Sequence, residues 1–233
     1  MVKHDSNPFE TAYVNGVSIL DVGAVLESYS VGGTEITNEV YQGRNRTHFN
    51  LLAKQFGRKT VTMTVFFHAD NRHDLTLRQS KLTSMLTGVV ELSMPDGFYY
   101  RSTLDEVGDL QIIGVDGKGV IAECTYTLSG IQHDALQTVD GNTVNAIGTM
   151  WQMDCILSCT ASRAYSSIRV GTVVFTGVAR GDVLTADGIN GRMLKNDTPT
   201  TGVSFTHLPF LVPGVQTITC PETLTVQYYP SYI

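Results

Sequence analysis

Lys59-Thr60-Val61-Thr62-Met63-Thr64-Val65-Phe66-Phe67 decides the fold class. Successive side chains of an extended chain point to opposite faces, so Val61, Met63, Val65 and Phe67 share one face while Thr60, Thr62 and Thr64 occupy much of the other. Val120–Leu128 repeats the pattern: Val120, Ala122, Cys124, Tyr126 and Leu128 alternate with Ile121, Glu123, Thr125 and Thr127. Met153–Cys159 and Leu224–Tyr228 do so again. Threonine, valine and tyrosine at every second position suit a pleated surface with one buried side. The chain reads as mainly β.

One stretch departs from period two. Asp70-Asn71 offers an N-cap, and Arg72–Leu86 follows with no glycine or proline until Gly88. Leu75, Leu82, Met85 and Leu86 fall within about 100° on a 3.6-residue wheel, which marks an amphipathic helix of about four turns lying on a sheet. Leu77 falls off that stripe and Arg78 falls on it.

Val89–Met94 resumes a strand, Pro95-Asp96-Gly97 turns it, and Phe98-Tyr99-Tyr100 opens the next. Asp116-Gly117-Lys118-Gly119 then turns the chain into Val120–Leu128. The first half is therefore an α+β unit with one flanking helix. Residues His133–Gly148 are polar and turn-rich, and the boundary is placed there, giving domains 1–135 and 136–233. The remainder reads as about eight short strands with turns roughly every ten residues, at Gly171, Ala179-Arg180-Gly181-Asp182, Asp187-Gly188, Asn190-Gly191, Asn196-Asp197 and Pro213-Gly214. That spacing indicates an all-β sandwich or jelly roll.

Composition narrows the function. The chain has 233 residues, enough for one large or two modest domains, and only 16% are charged, which argues against disorder. Apolar runs such as Val61–Phe67 are far shorter than the ~18 residues of a membrane span. Met1-Val2-Lys3-His4-Asp5 leads into no apolar segment, so no secretory signal is expected. A net charge of −6 argues against a general nucleic-acid binder, whose affinity comes from neutralising phosphates.

Four cysteines, Cys124, Cys155, Cys159 and Cys220, include no C-x-x-C pair. Cys155 and Cys159 point to one face of a strand but sit too far apart along it for a disulfide. Free buried thiols and folding in a reducing cytoplasm are expected.

Candidate chemical sites each have a plainer explanation. His68, Asp70, His73 and Asp74 are dense in metal-ligand types, but the spacing matches no known metal motif and fits a capped strand-to-helix loop. Asp182, Asp187, Asn190, Asn196 and Asp197 could offer oxygens to calcium, yet they lack regular D-x-D-x-D-G spacing and stand where hairpin turns need them. Arg180-Gly181-Asp182, a cell-adhesion tripeptide in form, reads as a turn. The glycines at Gly114, Gly117 and Gly119 fit no phosphate loop. Trp151, Tyr228, Tyr229 and Tyr232 could stack on sugar, but a single Trp and scattered tyrosines more often serve core and rim packing. No nucleophile elbow or local acid–base pair occurs, and no catalytic residue, cofactor or metal is expected. The chain reads as a binding or assembly protein.

The order of its parts resembles the phage distal tail protein (Dit) family. Tyr13-Val14-Asn15-Gly16-Val17 is similar to that family's opening strand and turn, and Tyr41-Gln42-Gly43-Arg44-Asn45 to its glycine–arginine turn. Lys59–Phe67, the helix Arg72–Leu86, Val89-Val90-Glu91-Leu92 and Phe98-Tyr99-Tyr100-Arg101 follow in family order. Gly181–Gly188 resembles its G-D-x-L-x-I-D hairpin, Leu208–Ile218 its F-P-x-L-x-P-G-x-N-x-I strand pair, and Leu224–Pro230 its closing strand. Gln216 stands where asparagine is commoner, and Ala186 where isoleucine is.

The resemblance implies a structural protein of the virion tail tip, assembled in the host cytoplasm. Its first domain would be tail-tube-like and close as a homohexameric ring; its second would be a galectin-like sandwich to which receptor-binding or baseplate proteins attach. The tail tube protein and a tail-associated tip protein would be its neighbours, with DNA passing through the pore and no specific nucleic-acid binding or membrane insertion. Arg44, Arg46, Arg58 and Lys59 gather near the loop before the long strand and are expected at a subunit interface. The alternative is a carbohydrate-binding module or adhesin acting through the C-terminal sandwich. A hydrolase built around His68, His73 or Asp74 is a third, weaker reading.

Overall fold

Lys59–Ala69 forms one long strand in the computed structural model, which describes residues 4–5, 11–42, 44, 47, 49–117 and 119–233. The chain divides into two compact units, Met1–His133 with Ile233, and Asp134–Tyr232. About 58% of it is strand and 8% helical, the mainly β class expected from the alternation.

The first unit runs β1 (His4–Asp5), β2 (Tyr13–Val14), β3 (Val17–Ser18), β4 (Ala24–Val31), β5 (Ile36–Gln42), β6 (Phe49–Phe56), β7 (Lys59–Ala69), α1 (Arg72–Met85), β8 (Val89–Ser93), β9 (Tyr99–Val107), β10 (Gln111–Asp116) and β11 (Gly119–His133). Its sheet is ordered β1-β4-β7-β11-β9-β8-β2-β3, with β10 also on β11. The two stretches singled out by their alternation lie side by side: β7 and β11 pair antiparallel with Val61 opposite Leu128, Met63 opposite Tyr126, Val65 opposite Cys124 and Phe67 opposite Ala122. All eight are buried. On the other face Thr64 and Thr125 meet hydroxyl to hydroxyl at 3.3 Å.

The helix starts where its cap predicts. Asn71 is extended and its Oδ1 accepts the Asp74 N–H at 3.0 Å, so one otherwise unpaired first-turn donor is satisfied. Leu75, Leu82 and Leu86 are buried against the sheet, with Met85 partly so, while Leu77 faces solvent. Arg78, on the apolar stripe by position, lays its guanidinium where a Cβ on Gly23 would stand (2.1 Å). Gly23 caps a 3-10 turn at φ +75°, a left-handed conformation that favours glycine.

The second unit comprises β12 (Gln137–Asp140), β13 (Thr143–Ala146), β14 (Met153–Thr160), β15 (Tyr165–Val170), β16 (Val173–Val178), β17 (Val183–Asp187), β18 (Arg192–Lys195), β19 (Thr198–Pro199), β20 (Val203–Phe205), β21 (Phe210–Leu211), β22 (Gly214–Thr217), β23 (Thr225–Tyr228) and β24 (Ser231–Tyr232). These thirteen strands correct the expected eight. Turn residues cut the segments more finely than spacing implied, and several strands have only two residues. A sheet ordered β12-β23-β14-β17-β18-β19 with β21 on β14, a β15-β16-β20 sheet and a β13–β22 ladder surround one apolar core. Cys155, Leu157 and Cys159 of β14 enter that core with Val170, Val173 and Phe175. All four cysteines are free thiols. No helix among the described residues is long and apolar enough to cross a membrane.

Candidate assembly interface

Among the described residues, the main sheet of the first unit ends at its margins in two-residue strands, β1 and β3. Such short edges offer little backbone for another chain to pair with. The long open edges lie elsewhere. Among the described residues, β5 and β6 pair only with each other, from Ile36 opposite Phe56 to Gln42 opposite Phe49, with a bulge between Glu39 and Val40. Gly57 N–H donates to the Glu35 carbonyl at 2.7 Å and closes the base of this arm.

Every residue of β5 is exposed. Period two places Ile36 and Val40 on one face of the arm, with Leu51 directly across from Val40. Val40 is 50% and Leu51 54% exposed, and Tyr41 and Leu52 more so. Lys54 Nζ sits 4.7 Å from the centre of the Phe56 ring, a cation–π contact that covers part of the base. A two-stranded hairpin is at best marginally stable alone in water. An arm with two open edges and an apolar face has the composition of a surface that another surface covers.

β10 forms a second exposed element. It pairs with the first residues of β11, and its Ile112, Ile113 and Val115 are exposed, Val115 at 73%.

The expected cation cluster is split by the arm. Arg44 is exposed in the turn between β5 and β6, a strand's length from Arg58 and Lys59 at the arm's base. Arg58 Nη1 donates to Thr103 Oγ1 at 3.0 Å, and Lys59 Nζ to Gln132 Oε1 at 2.5 Å. Partial burial holds the Lys59 ammonium below its ordinary pKa, with Asp96 acting in the opposite direction. Arg46 lies outside the described residues. Arg44, Arg58 and Lys59 are close in sequence, but the hairpin separates its tip from its foot. The arm's apolar residues, Ile36, Val40, Tyr41, Leu51 and Leu52, follow no strict period of two, so the sequence pattern does not single them out.

The other candidates resolve into structural roles. His68 and His73 are exposed, Asp74 receives the Asn71 Nδ2–H at 2.8 Å, and no group of three metal-ligating side chains occurs among the described residues. Asp187, 3% exposed, accepts from Asn190 N and Nδ2 and from Arg192 Nη2, which places donors where calcium would need free oxygens. Asp182 is likewise turned inward, accepting the Ala179 N–H at 2.8 Å and Asn196 Nδ2–H at 2.9 Å. These bonds and the nearby Lys195 hold its carboxyl below the ordinary range. The Arg180-Gly181-Asp182 tripeptide therefore serves a turn. Among the aromatics, Tyr228 is core and its hydroxyl accepts the Ile147 N–H, and Tyr232 Oη donates to Asp134 at 2.5 Å. Trp151 is 68% exposed.

No family model matches the chain, and no curated protein sequence does. Solved structures do match. The Dit protein of phage SPP1, described as a paradigm of the hub adsorption apparatus in phages infecting Gram-positive bacteria, superposes with a TM-score of 0.73 at 10% identity, over 96% of this chain and 99% of that one. A chain of the phage P2 baseplate in its activated conformation with Ca matches with a TM-score of 0.53 at 9% identity, over 99% and 98%. The chain has a mainly β, Dit-like fold.

Proposed function

We propose that this chain is a structural hub protein of a phage tail tip, which closes as a homohexameric ring between the last ring of the tail tube and the tip or baseplate. The carrying observation is that the likeness to the SPP1 hub protein spans 96% of this chain and 99% of that one, so both units take part. The first unit forms the ring, and the second is a galectin-like sandwich available to receptor-binding or baseplate proteins. DNA passes through the pore, and the protein acts by assembly in the virion tail and not by catalysis.

The arm supplies the physical support. Cyclic closure beyond a dimer uses heterologous contacts, in which each copy presents two unlike surfaces. The β5–β6 arm and the β10 edge are two such surfaces on the first unit, and covering the arm removes its open edges and apolar face from water. Arg44, at the turn of the arm, is the cation placed to meet a neighbour; Arg46 shares that turn in sequence, and Arg58 and Lys59 flank its base. Negative-stain microscopy and light scattering of the full chain, alone and mixed with the adjoining tube and tip proteins, test the reading. Sixfold rings are expected. A protein that stays single in both conditions overturns it.

Trp151 favours a second reading, a glycan-binding module, because an indole exposed on the second unit is a stacking surface for a sugar ring. Glycan or cell-wall binding by a monomer, lost in Trp151→Ala, would distinguish it.

A further inference from the structure

We propose that the β5–β6 arm of one copy docks on the β10 edge of a second copy, with β5 adding as a strand alongside β10. This inference rests on the ring reading and names the two surfaces that mate in it.

The pairing registers put these surfaces at opposite ends of the sheet. The arm leaves it between Val31 and Lys59, where Val31 pairs with Val61 and Lys59 with Gly130. β10 pairs with residues 119–123 of β11, and residues 120–123 lie opposite 66–69, the far end of β7. The seven to ten residues of β7 from Lys59 to that end span roughly 24–34 Å of extended chain. A copy that offers an arm at one end and an acceptor edge at the other makes head-to-tail contacts, the kind that cyclic closure uses.

The two edges match in length and in apolar content. β5 has seven residues and β10 six, and neither contains proline. Among the described residues each has one hydrogen-bonded neighbour, β6 and β11 respectively, so its other side is open to a further strand. β5 is the regular side of the arm: the bulge leaves Leu52 of β6 out of the ladder, while every residue of β5 has a partner. On β10 a bulge likewise leaves Ile113 out. Ile36 and Val40 on β5 and Ile112, Ile113 and Val115 on β10 are exposed. In strand addition the main-chain bonds supply affinity and the side-chain rows supply selection, and here both rows leave water together.

Charge selects the partner. Residues 36–56 carry Arg44, Arg46 and Lys54 against Glu39, whereas residues 104–116 carry Asp105, Glu106, Asp109 and Asp116 and no cation. Arg44, Lys54, Asp105, Glu106 and Asp109 are exposed. Opposite charge steers an arm towards a β10 edge, and like charge opposes arm-to-arm and edge-to-edge pairing. The contact is therefore between unlike surfaces of two copies.

Full chains carrying Val40→Cys and full chains carrying Ile113→Cys, coexpressed with the adjoining tube and tip proteins and treated with a bismaleimide, test the contact. The unaltered chain gives the background of the native cysteines. A covalent dimer joining the two variants is expected, with none above background from either variant alone. Arg44→Glu with Lys54→Glu on the arm-bearing copy should abolish that dimer, and Glu106→Lys with Asp109→Lys on the other copy should restore it. A dimer from Val40→Cys alone, a cross-link to a tube or tip protein in place of the second copy, or sixfold rings without the mixed dimer would each overturn the proposal, and the last would leave the ring reading standing. A mixed dimer without rings would support the arm contact and count against the ring. Neither dimer nor rings would overturn both.

Discussion

Val40 stands directly opposite Leu51 across the β5–β6 arm, and both side chains are about half exposed. A cross-strand apolar pair normally gains its stability from a third layer that buries it. On the proposed reading a neighbouring copy supplies that layer. Val40→Asp combined with Leu51→Asp should shift the unfolding free energy of the isolated chain by no more than ~0.5 kcal/mol, as exposed substitutions do. The same variant should abolish ring formation under electron microscopy. Normal rings from it would place the subunit contact elsewhere.

The helix makes a sharper contrast within one element. Leu82 is fully buried against the sheet, whereas Leu77, five residues earlier, is 47% exposed. Leu82→Ala should cost ~2–5 kcal/mol, the lost transfer energy plus a cavity. Leu77→Ala should cost ~0.5 kcal/mol or less. Urea denaturation of both variants measures the difference, and equal costs would contradict the packing of α1.

Gly188 follows β17 at a close crossing of backbones. A Cβ there would lie 2.2 Å from the Pro209 carbonyl oxygen and 2.8 Å from that of Cys155, and the Gly188 N–H donates to the same Cys155 oxygen at 2.9 Å. Neither obstacle is a movable side-chain end. Gly188→Ala should destabilise the chain by ~1–3 kcal/mol through forced backbone shifts. A midpoint unchanged in denaturant would show that the crossing is looser than its geometry.

Acid should loosen the second unit through Glu222. Its Oε1 accepts from Tyr165 Oη at 2.6 Å and from the Ser162 hydroxyl and N–H, which together hold the carboxyl below its ordinary 4.5. The folded state therefore binds this proton more weakly than the unfolded chain does. The resulting stabilisation is complete above the ordinary pKa and disappears as pH falls through the lower folded value. Glu222→Gln should melt below the unaltered protein at pH 7, and the gap should narrow towards pH 3. Parallel melting curves across that range would assign Glu222 no such role.

The alternation of Val61, Met63, Val65 and Phe67 and of Val120 to Leu128 was enough to identify strands and their buried faces. The Asn71 cap and the leucine stripe were enough to place α1. Periods of two and 3.6 are properties of the backbone itself, so residues a few positions apart carry them without reference to anything distant. Ile36–Gln42 is also a strand, and yet among the described residues it pairs only with β6, because a residue's face is buried by its neighbours in space and not by its own pattern. Arg44, Arg58 and Lys59 were separated for a related reason: a hairpin sends adjacent sequence to opposite ends. Asn142 reaches the carbonyls of Cys220 and Glu222 only because packing brings that distant segment onto it. Local geometry determined which elements form; long-range packing decided which surfaces remained open and which distant segments met.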